Sequence, residues 1–335
     1  MPATSASTII NSILEAITQS GGVAVYALNT EETHPAKFIV KYSEQNFTIW
    51  VYIWTLTHGG RPSLPDEYRI QMTGVNSPLP MNPNGYTVLM GYHHDLNMFA
   101  GFDINKHRKF TVGSPSVQID ITTIHEALQN GLAFSTKENN EIVIGIRADQ
   151  FLHYVIDAEK LHKEGKNNKL TPLLNKAVSL GKISNIETKG LSKERKLIIA
   201  NISRYSRDAS FRQQVLTAYG YRCAVTRAQL RLVNAAHILP VPVQESIDHV
   251  TNGICLSPTV HLAYDNCLIY LDEHLFMQVN EEKASELVSV KLDAGLVEFR
   301  KNLNAKIHLP PDKKQWPDPE FIKKANKYRL IPGYH

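Results

Sequence analysis

Cysteine is scarce: three in 335 residues, Cys223, Cys255 and Cys267, with no C-x-x-C pair. Three thiols cannot all pair, so a disulfide scaffold is excluded, and so is a four-cysteine zinc site. Long apolar runs are missing too; none reaches the roughly 18–20 residues that cross a membrane. The opening MPATSASTII lacks the basic start and unbroken apolar core of a secretory leader. Internal repeats and low-complexity tracts are also absent. These absences predict a soluble, cytoplasmic protein with no membrane attachment.

A chain of 335 residues exceeds one ordinary core and predicts two domains. Its net charge of +4 hides an asymmetry. Through Asp157 there are 9 Lys+Arg against 14 Asp+Glu, a net of −5; from Ala158 onward there are 27 against 18, a net of +9. The basic half predicts a polyanionic partner, with a solvated lysine-rich surface as the plainer reading.

The hydrophobic period changes along the chain. SASTIINSILEAITQSGG carries Ser/Thr starts, helical spacing and a Gly-Gly stop. Then VAVYAL, AKFIVKY, FTIWVYIWTLT, YRIQM, YTVLMGY, MFAGFDI and VQIDI follow as β-branched, aromatic runs between Gly, Pro and Asn turns. They predict a mostly antiparallel sheet or small barrel. A helix (ITTIHEALQNG), a strand (EIVIGI) and a second helix (ADQFLHYVIDAEKLHK) complete this half. His93, His94 and Asp95 read as a polar hairpin turn. Residues 160–196 are lysine-rich without clear periodicity, the pattern of a domain boundary. A helix resumes at RKLIIANISRYSRDASFRQQVLTAYG, with a break expected near Arg207–Ala209. The proline-punctuated tail holds one short helix around Pro319–Lys327.

Chemistry concentrates between Phe211 and Asp272. His237 ends an apolar strand-like run, Asn252 sits in a turn, and His261 opens the helix-like HLAYD. Four residues apart, His261 and Asp265 share a helical face and can grip one divalent cation. His237, on the neighbouring strand, is placed to take a proton from water. The amide of Asn252 suits tying the intervening loop together. Taken singly, a histidine such as His237 in an apolar strand is usually a satisfied core residue, and His261 with Asp265 reads as an ordinary i,i+4 pair.

Together, AAHI, NGICL and HLAYD resemble the HNH nuclease motif, the ββα-metal module. Their spacings of 15 and 24 residues from His237 match the family's loop asparagine and first helix ligand. The lead-in FRQQVLTAYGYRCAVT resembles the preamble of HNH endonucleases in bacterial restriction and defence loci. The resemblance spans roughly residues 203–275. With the period and composition of the rest, it gives an α+β chain in three expected parts: a β-rich, barrel-like target-recognition domain with flanking helices (1–158), a helical, lysine-rich linker (159–196) and an HNH nuclease domain with flanking helices (197–335). It implies His237 as general base, Asn252 as loop-fixing residue, and His261 with Asp265 as ligands for one Mg²⁺ or Mn²⁺. Many members carry Asp or His before the catalytic histidine; here stands Ala236, leaving Asn234 or a water to fill that place. Cys223 precedes Thr226 where some members build a zinc knuckle, so structural zinc is not expected.

The expected activity is metal-dependent cleavage of double-stranded DNA, of restriction or antiviral-defence type, by a homodimer. Target choice falls to the β-rich half, loosely similar to recognition domains, pseudobarrels among them, ahead of nuclease modules in restriction enzymes. Its candidate DNA contacts are His58, Arg61, Arg69, Lys106, Arg108 and Lys109; Arg204, Arg207 and Arg222 are candidates nearer the motif. Two other functions stay open at this level. The hairpin is inactive for want of a ligand at Ala236 and the protein only binds DNA, or the nuclease is gated by a ligand or protein sensed by the N-terminal half.

Overall fold

The computed structural model describes residues 4–27, 34–111, 113–164, 170–230 and 232–334. The chain divides into two compact units, Met1–Ser206 and Arg207–His335.

The first unit opens with α1 (Ala6–Gln19), whose first turn is capped by the Ser5 hydroxyl accepting the Thr8 N–H. The alternating runs then form β1 (Val23–Ala27), β2 (Ala36–Tyr42), β3 (Gln45–Thr55), β4 (Thr57–His58), β5 (Glu67–Gln71), β6 (Gly85–His93) and β7 (Met98–Phe102). A short α2 (Ile104–His107), β8 (Ser116–Asp120), α3 (Ile121–Asn130), β9 (Leu132–Thr136) and β10 (Ile142–Arg147) follow, then α4 (Phe151–Glu164) and α5 (Leu170–Val178).

Seven strands make one sheet in the order β1-β2-β3-β6-β7-β10-β9, and β4-β5-β8 make a second. Neither sheet closes among the described residues, so the expected barrel gives way to an open sheet covered on both faces. The cause is the β3–β6 pair, which runs parallel while its neighbours run antiparallel. Parallel neighbours need a crossover, and β4 and β5 lie within it, leaving with β8 as a separate sheet. Alternation along β3 then fills two cores. Val51 and Ile53 pack with Ile13 and Ile17 of α1, Phe151 and Leu152 of α4, and Leu174 of α5. Tyr52 and Trp54 join Ile70 of β5, Val117 and Ile119 of β8, and Ile124 and Ala127 of α3.

The stretch expected as a helical, basic linker packs on the first core. Outside residues 165–169, which lie beyond the described residues, the stretch contributes Leu161, Leu170, Leu174, Ala177 and Val178 to the first core. The next helix, α6 (Lys193–Ala218), is continuous through the expected break, and the division between units falls inside it. Its Ile198, Ile199, Ile202 and Tyr205 belong to the first core; its Phe211, Val215 and Leu216 belong to the second. This redistributes the charge. Residues 158–206 hold 11 Lys+Arg against 4 Asp+Glu, so each unit carries a net of +2. The basic segment belongs to the first unit.

The second unit contains β11 (Asn234–His237), β12 (Gly253–Leu256), α7 (Pro258–Asp265), β13 (Ile269–Leu271), β14 (Phe276–Val279), α8 (Glu281–Ser289), α9 (Leu296–Arg300), β15 (Ala305–Lys306) and α10 (Pro319–Tyr328). β11 and β12 form an antiparallel hairpin, and β13-β14-β15 a separate small sheet. Ile238, Ile254, Leu256, Tyr264, Met277 and Ile322 bring these elements onto one core.

Buried histidines tie the first unit together. His162 lies between the Ile142 carbonyl and the Tyr154 hydroxyl, each at 3.0 Å. His153 meets the Tyr42 hydroxyl at 3.0 Å and stacks on Tyr205 at 4.1 Å. Burial lowers both imidazoles from 6.5 to about 4. Below pH 6.5 the unfolded chain binds protons that the folded chain refuses, so stability is full above 6.5 and is lost as pH falls through 4. The melting temperature of the first unit is expected to drop steadily across that interval, and His153→Gln to flatten the slope; scanning calorimetry against pH checks both.

Candidate active site

The β11–β12 hairpin, the loop 238–252 and α7 together form a strand–strand–helix module. Its register sets His237 opposite Gly253. That glycine is required by packing: a Cβ there would collide with Val215 Cγ2 and lie 3.1 Å from the Phe211 ring. The gap lets α6 lay Phe211 flat on the His237 imidazole, with centroids 3.8 Å apart and planes 13° from parallel. His237 Nε2 lies 3.0 Å from Asp248 Oδ1. A carboxylate only accepts, so Nε2 carries the hydrogen in neutral imidazole and Nδ1 holds the lone pair. Among the described residues Nδ1 makes no hydrogen bond.

Asn252 is wholly buried and binds the loop from inside. Its Oδ1 accepts the Leu239 N–H at 2.8 Å. Its Nδ2 donates to the Leu239 carbonyl at 3.2 Å, the Ser246 hydroxyl at 3.1 Å and the Ile247 carbonyl at 3.0 Å. Its own carbonyl accepts the Ile238 N–H at 2.9 Å.

On α7, His261 Nε2 and Asp265 Oδ2 are 3.3 Å apart. Burial lowers the His261 pKa, opposed by Asp265 and reinforced by the charges of His237, Arg212 and Arg329. His237, His261 and Asp265 line one open cavity of about 540 Å³, walled also by Pro240, Pro242, Cys267, Tyr328 and Arg329. An imidazole and a carboxylate side by side suit a hard divalent cation that keeps several waters. No third His, Cys, Asp or Glu completes a ligand cluster among the described residues.

The other expected residues lie elsewhere. Asn234 is not at the cavity: strand alternation puts it on the opposite face from His237, and Arg212 Nη1 donates to its Oδ1 at 3.0 Å. Ala236 shares that face and is buried in the core. Cys223 and Cys255 are buried; the Thr226 N–H points at Cys223 Sγ at 3.4 Å, and burial pushes the Cys255 thiol to about 12. In the first unit, His58 organises its own loop, bonding the Pro65 carbonyl at 2.8 Å and the Gly60 N–H at 3.0 Å. Arg61 lies 3.6 Å from Glu67, and Lys106 3.6 Å from Glu141. Arg69 lies within β5, Arg108 is half-buried, and Lys109, Arg204, Arg207 and Arg222 are exposed.

Phe211, Asp248 and Arg329 escaped the sequence reading. Asp248 carried a weak signal, a carboxylate four residues before the loop asparagine. Phe211 and Arg329 carried none, because only the folded chain brings them to the motif.

Asn252→Ala would orphan the buried Leu239 N–H, at about 1–3 kcal/mol for an unsatisfied group, while the Leu239 carbonyl keeps the Ser246 hydroxyl at 2.8 Å. The expected result is an earlier urea transition for the second unit and faster exchange of the Leu239 amide hydrogen. Asn252→Asp, which keeps the acceptor, should protect that amide better than alanine does.

Comparison with known proteins agrees with this geometry. Residues 223–272 match the sequence model of the HNH endonuclease family, and residues 47–155 match the model described as methylase-associated X1. No curated protein matches the chain. Among solved structures, a modification-dependent TagI restriction endonuclease aligns over 85% of this chain and 82% of its own, at 12% identity and a TM-score of 0.28. That likeness is too slight to carry a structural argument. The family match covers the hairpin, the loop and the helix that hold His237, Asn252, His261 and Asp265, so residues 223–272 of the second unit carry an HNH endonuclease domain.

Proposed function

We propose that this endonuclease is a metal-dependent DNA-cleaving enzyme of restriction type, acting in the cytoplasm, with targets selected by its first unit. The observation that carries the reading is the single cavity lined by a histidine base and a histidine–carboxylate pair. His261 and Asp265 would hold one Mg²⁺ or Mn²⁺, which when bound neutralises charge on the scissile phosphate and on the leaving 3′ oxygen. His237 takes the proton of the attacking water at Nδ1. Asp248 fixes the tautomer and steadies the imidazolium that results, and Phe211 holds the ring plane. Asn252 keeps the loop bearing Asp248 in register with β11.

The match of residues 47–155 to a methylase-associated model supports target selection in the first unit, including discrimination between modified and unmodified DNA. The exposed Lys160, Lys163, Lys182, Lys189, Lys193 and Lys196 of the same unit supply phosphate contacts that carry no sequence information. Cleavage of both strands needs two active sites or two visits, which favours a homodimer. Light scattering that shows only monomer during concerted double-strand cleavage would refute that state.

With Mn²⁺ or Mg²⁺ and plasmid DNA, His237→Ala is expected to slow cleavage by about 10²–10⁴-fold while DNA binding persists. Equal cleavage by variant and wild type would overturn the mechanism. Asp248→Ala should slow cleavage more than Asp248→Asn, since the asparagine oxygen still accepts the Nε2 hydrogen and loses only the charge; single-turnover nicking rates decide. His261→Ala and Asp265→Ala should each abolish Mn²⁺ binding in calorimetry. Unchanged binding would point to an inactive module that only binds DNA.

A further inference from the structure

Arg329 enters the cavity from outside the matched motif. It caps the C-terminal end of α10, where its N–H bonds the Ala325 carbonyl. Its Nη1 donates to the Ile238 carbonyl at 2.7 Å and to the Tyr264 hydroxyl at 3.1 Å. Its Cζ stands 4.3 Å from the centre of the Tyr264 ring. Ile238 directly follows His237, and Tyr264, fully buried on α7, directly precedes Asp265. The guanidinium is therefore fixed to both halves of the site at once, by a carbonyl, a phenol and an aromatic face.

None of those partners carries a negative charge. Among the described residues no carboxylate lies within ion-pair distance of Arg329, and its Nε and Nη2 make no hydrogen bond. A half-buried cation, held rigid, without a counterion and at the wall of a cavity it shares with His237 and His261, lacks only an anion. The planar fork of a guanidinium matches the paired oxygens of a phosphate better than any other side chain.

We propose that Arg329 forms an anion subsite that holds a non-bridging oxygen of the scissile phosphodiester and offsets the charge that builds there during water attack. The identity of the anion rests on the nuclease reading; the subsite itself does not. Fixed donors aimed at developing charge need no reorganisation when the charge appears, which is why their removal slows catalysis more than it weakens binding.

The test uses the full chain with Arg329→Met and Arg329→Lys. Titration of metal-free protein with inorganic phosphate should show binding to wild type, at least tenfold weaker binding to the Met variant, and an intermediate affinity for Lys. In single-turnover plasmid nicking with Mn²⁺, Arg329→Met should slow the chemical step about 10²–10³-fold. DNA affinity and Mn²⁺ affinity should stay within about threefold of wild type. Cleavage by Arg329→Met at the wild-type rate would overturn the proposal. So would full recovery of the rate by Arg329→Lys without recovery of phosphate affinity, since a purely structural tie to the Ile238 carbonyl needs one donor and no fork. If Arg329→Met fails to fold, the Lys variant decides on the same two readouts. If wild type cleaves no DNA, the nuclease reading fails, and the phosphate titration still decides the subsite: loss of binding in the variants supports it, and equal binding refutes it.

Discussion

The catalytic unit depends on one buried side chain amide. A 14-residue excursion from His237 to Asn252 has little secondary structure of its own, yet it must deliver Asp248 to an imidazole on the strand it just left. The Asn252 amide accomplishes this by accepting the buried Leu239 N–H, which has no other partner among the described residues, and by donating to the Leu239 carbonyl, the Ser246 hydroxyl and the Ile247 carbonyl. Because the same residue adjoins Gly253, the first pair of β12 with β11, the loop and the hairpin close as one event. An unsatisfied amide in that interior costs more than a made bond returns, so alternative loop arrangements are strongly disfavoured.

The second constraint is steric. His237 is oriented by a carboxylate on one edge and by an aromatic face, and the aromatic face reaches it only because position 253 has no side chain. The imidazole therefore has a defined plane and a defined tautomer before any substrate arrives. On α7 the pairing is looser: His261 and Asp265 are one helical turn apart, partly exposed, and open to the cavity. A fixed imidazole beside an open histidine–carboxylate pair is the division that the proposed in-line attack on a phosphate would use.

Local signals were legible in the sequence and long-range ones were not. The strands from Val23 to Asp120 and the helices at 6–19, 121–130 and 151–164 follow period and capping residues that act within a few positions. The spacing of His237, Asn252, His261 and Asp265 was likewise readable, because one short contiguous module holds all four. Parallel pairing of β3 with β6 was not, since Trp50 and Thr87 look the same in a barrel and in an open sheet. The lysines of 160–196 mark a basic linker by composition, while the packing of Leu161, Leu170 and Leu174 in the first core depends on contacts that composition does not show. The placement of Asn234 was not legible for a related reason: alternation on a four-residue strand decides its face, and Arg212 of α6 donates to its oxygen.

Helix α6 gives the two units a common backbone, with Tyr205 packed in one core and Phe211 in the other. A fragment of the second unit that starts at the division would open on helix whose first N–H groups have no carbonyl partners, within two turns of Phe211. Phe211 is the ring that lies on His237, so an excised second unit has to keep helix ahead of Arg207 to hold that ring in place.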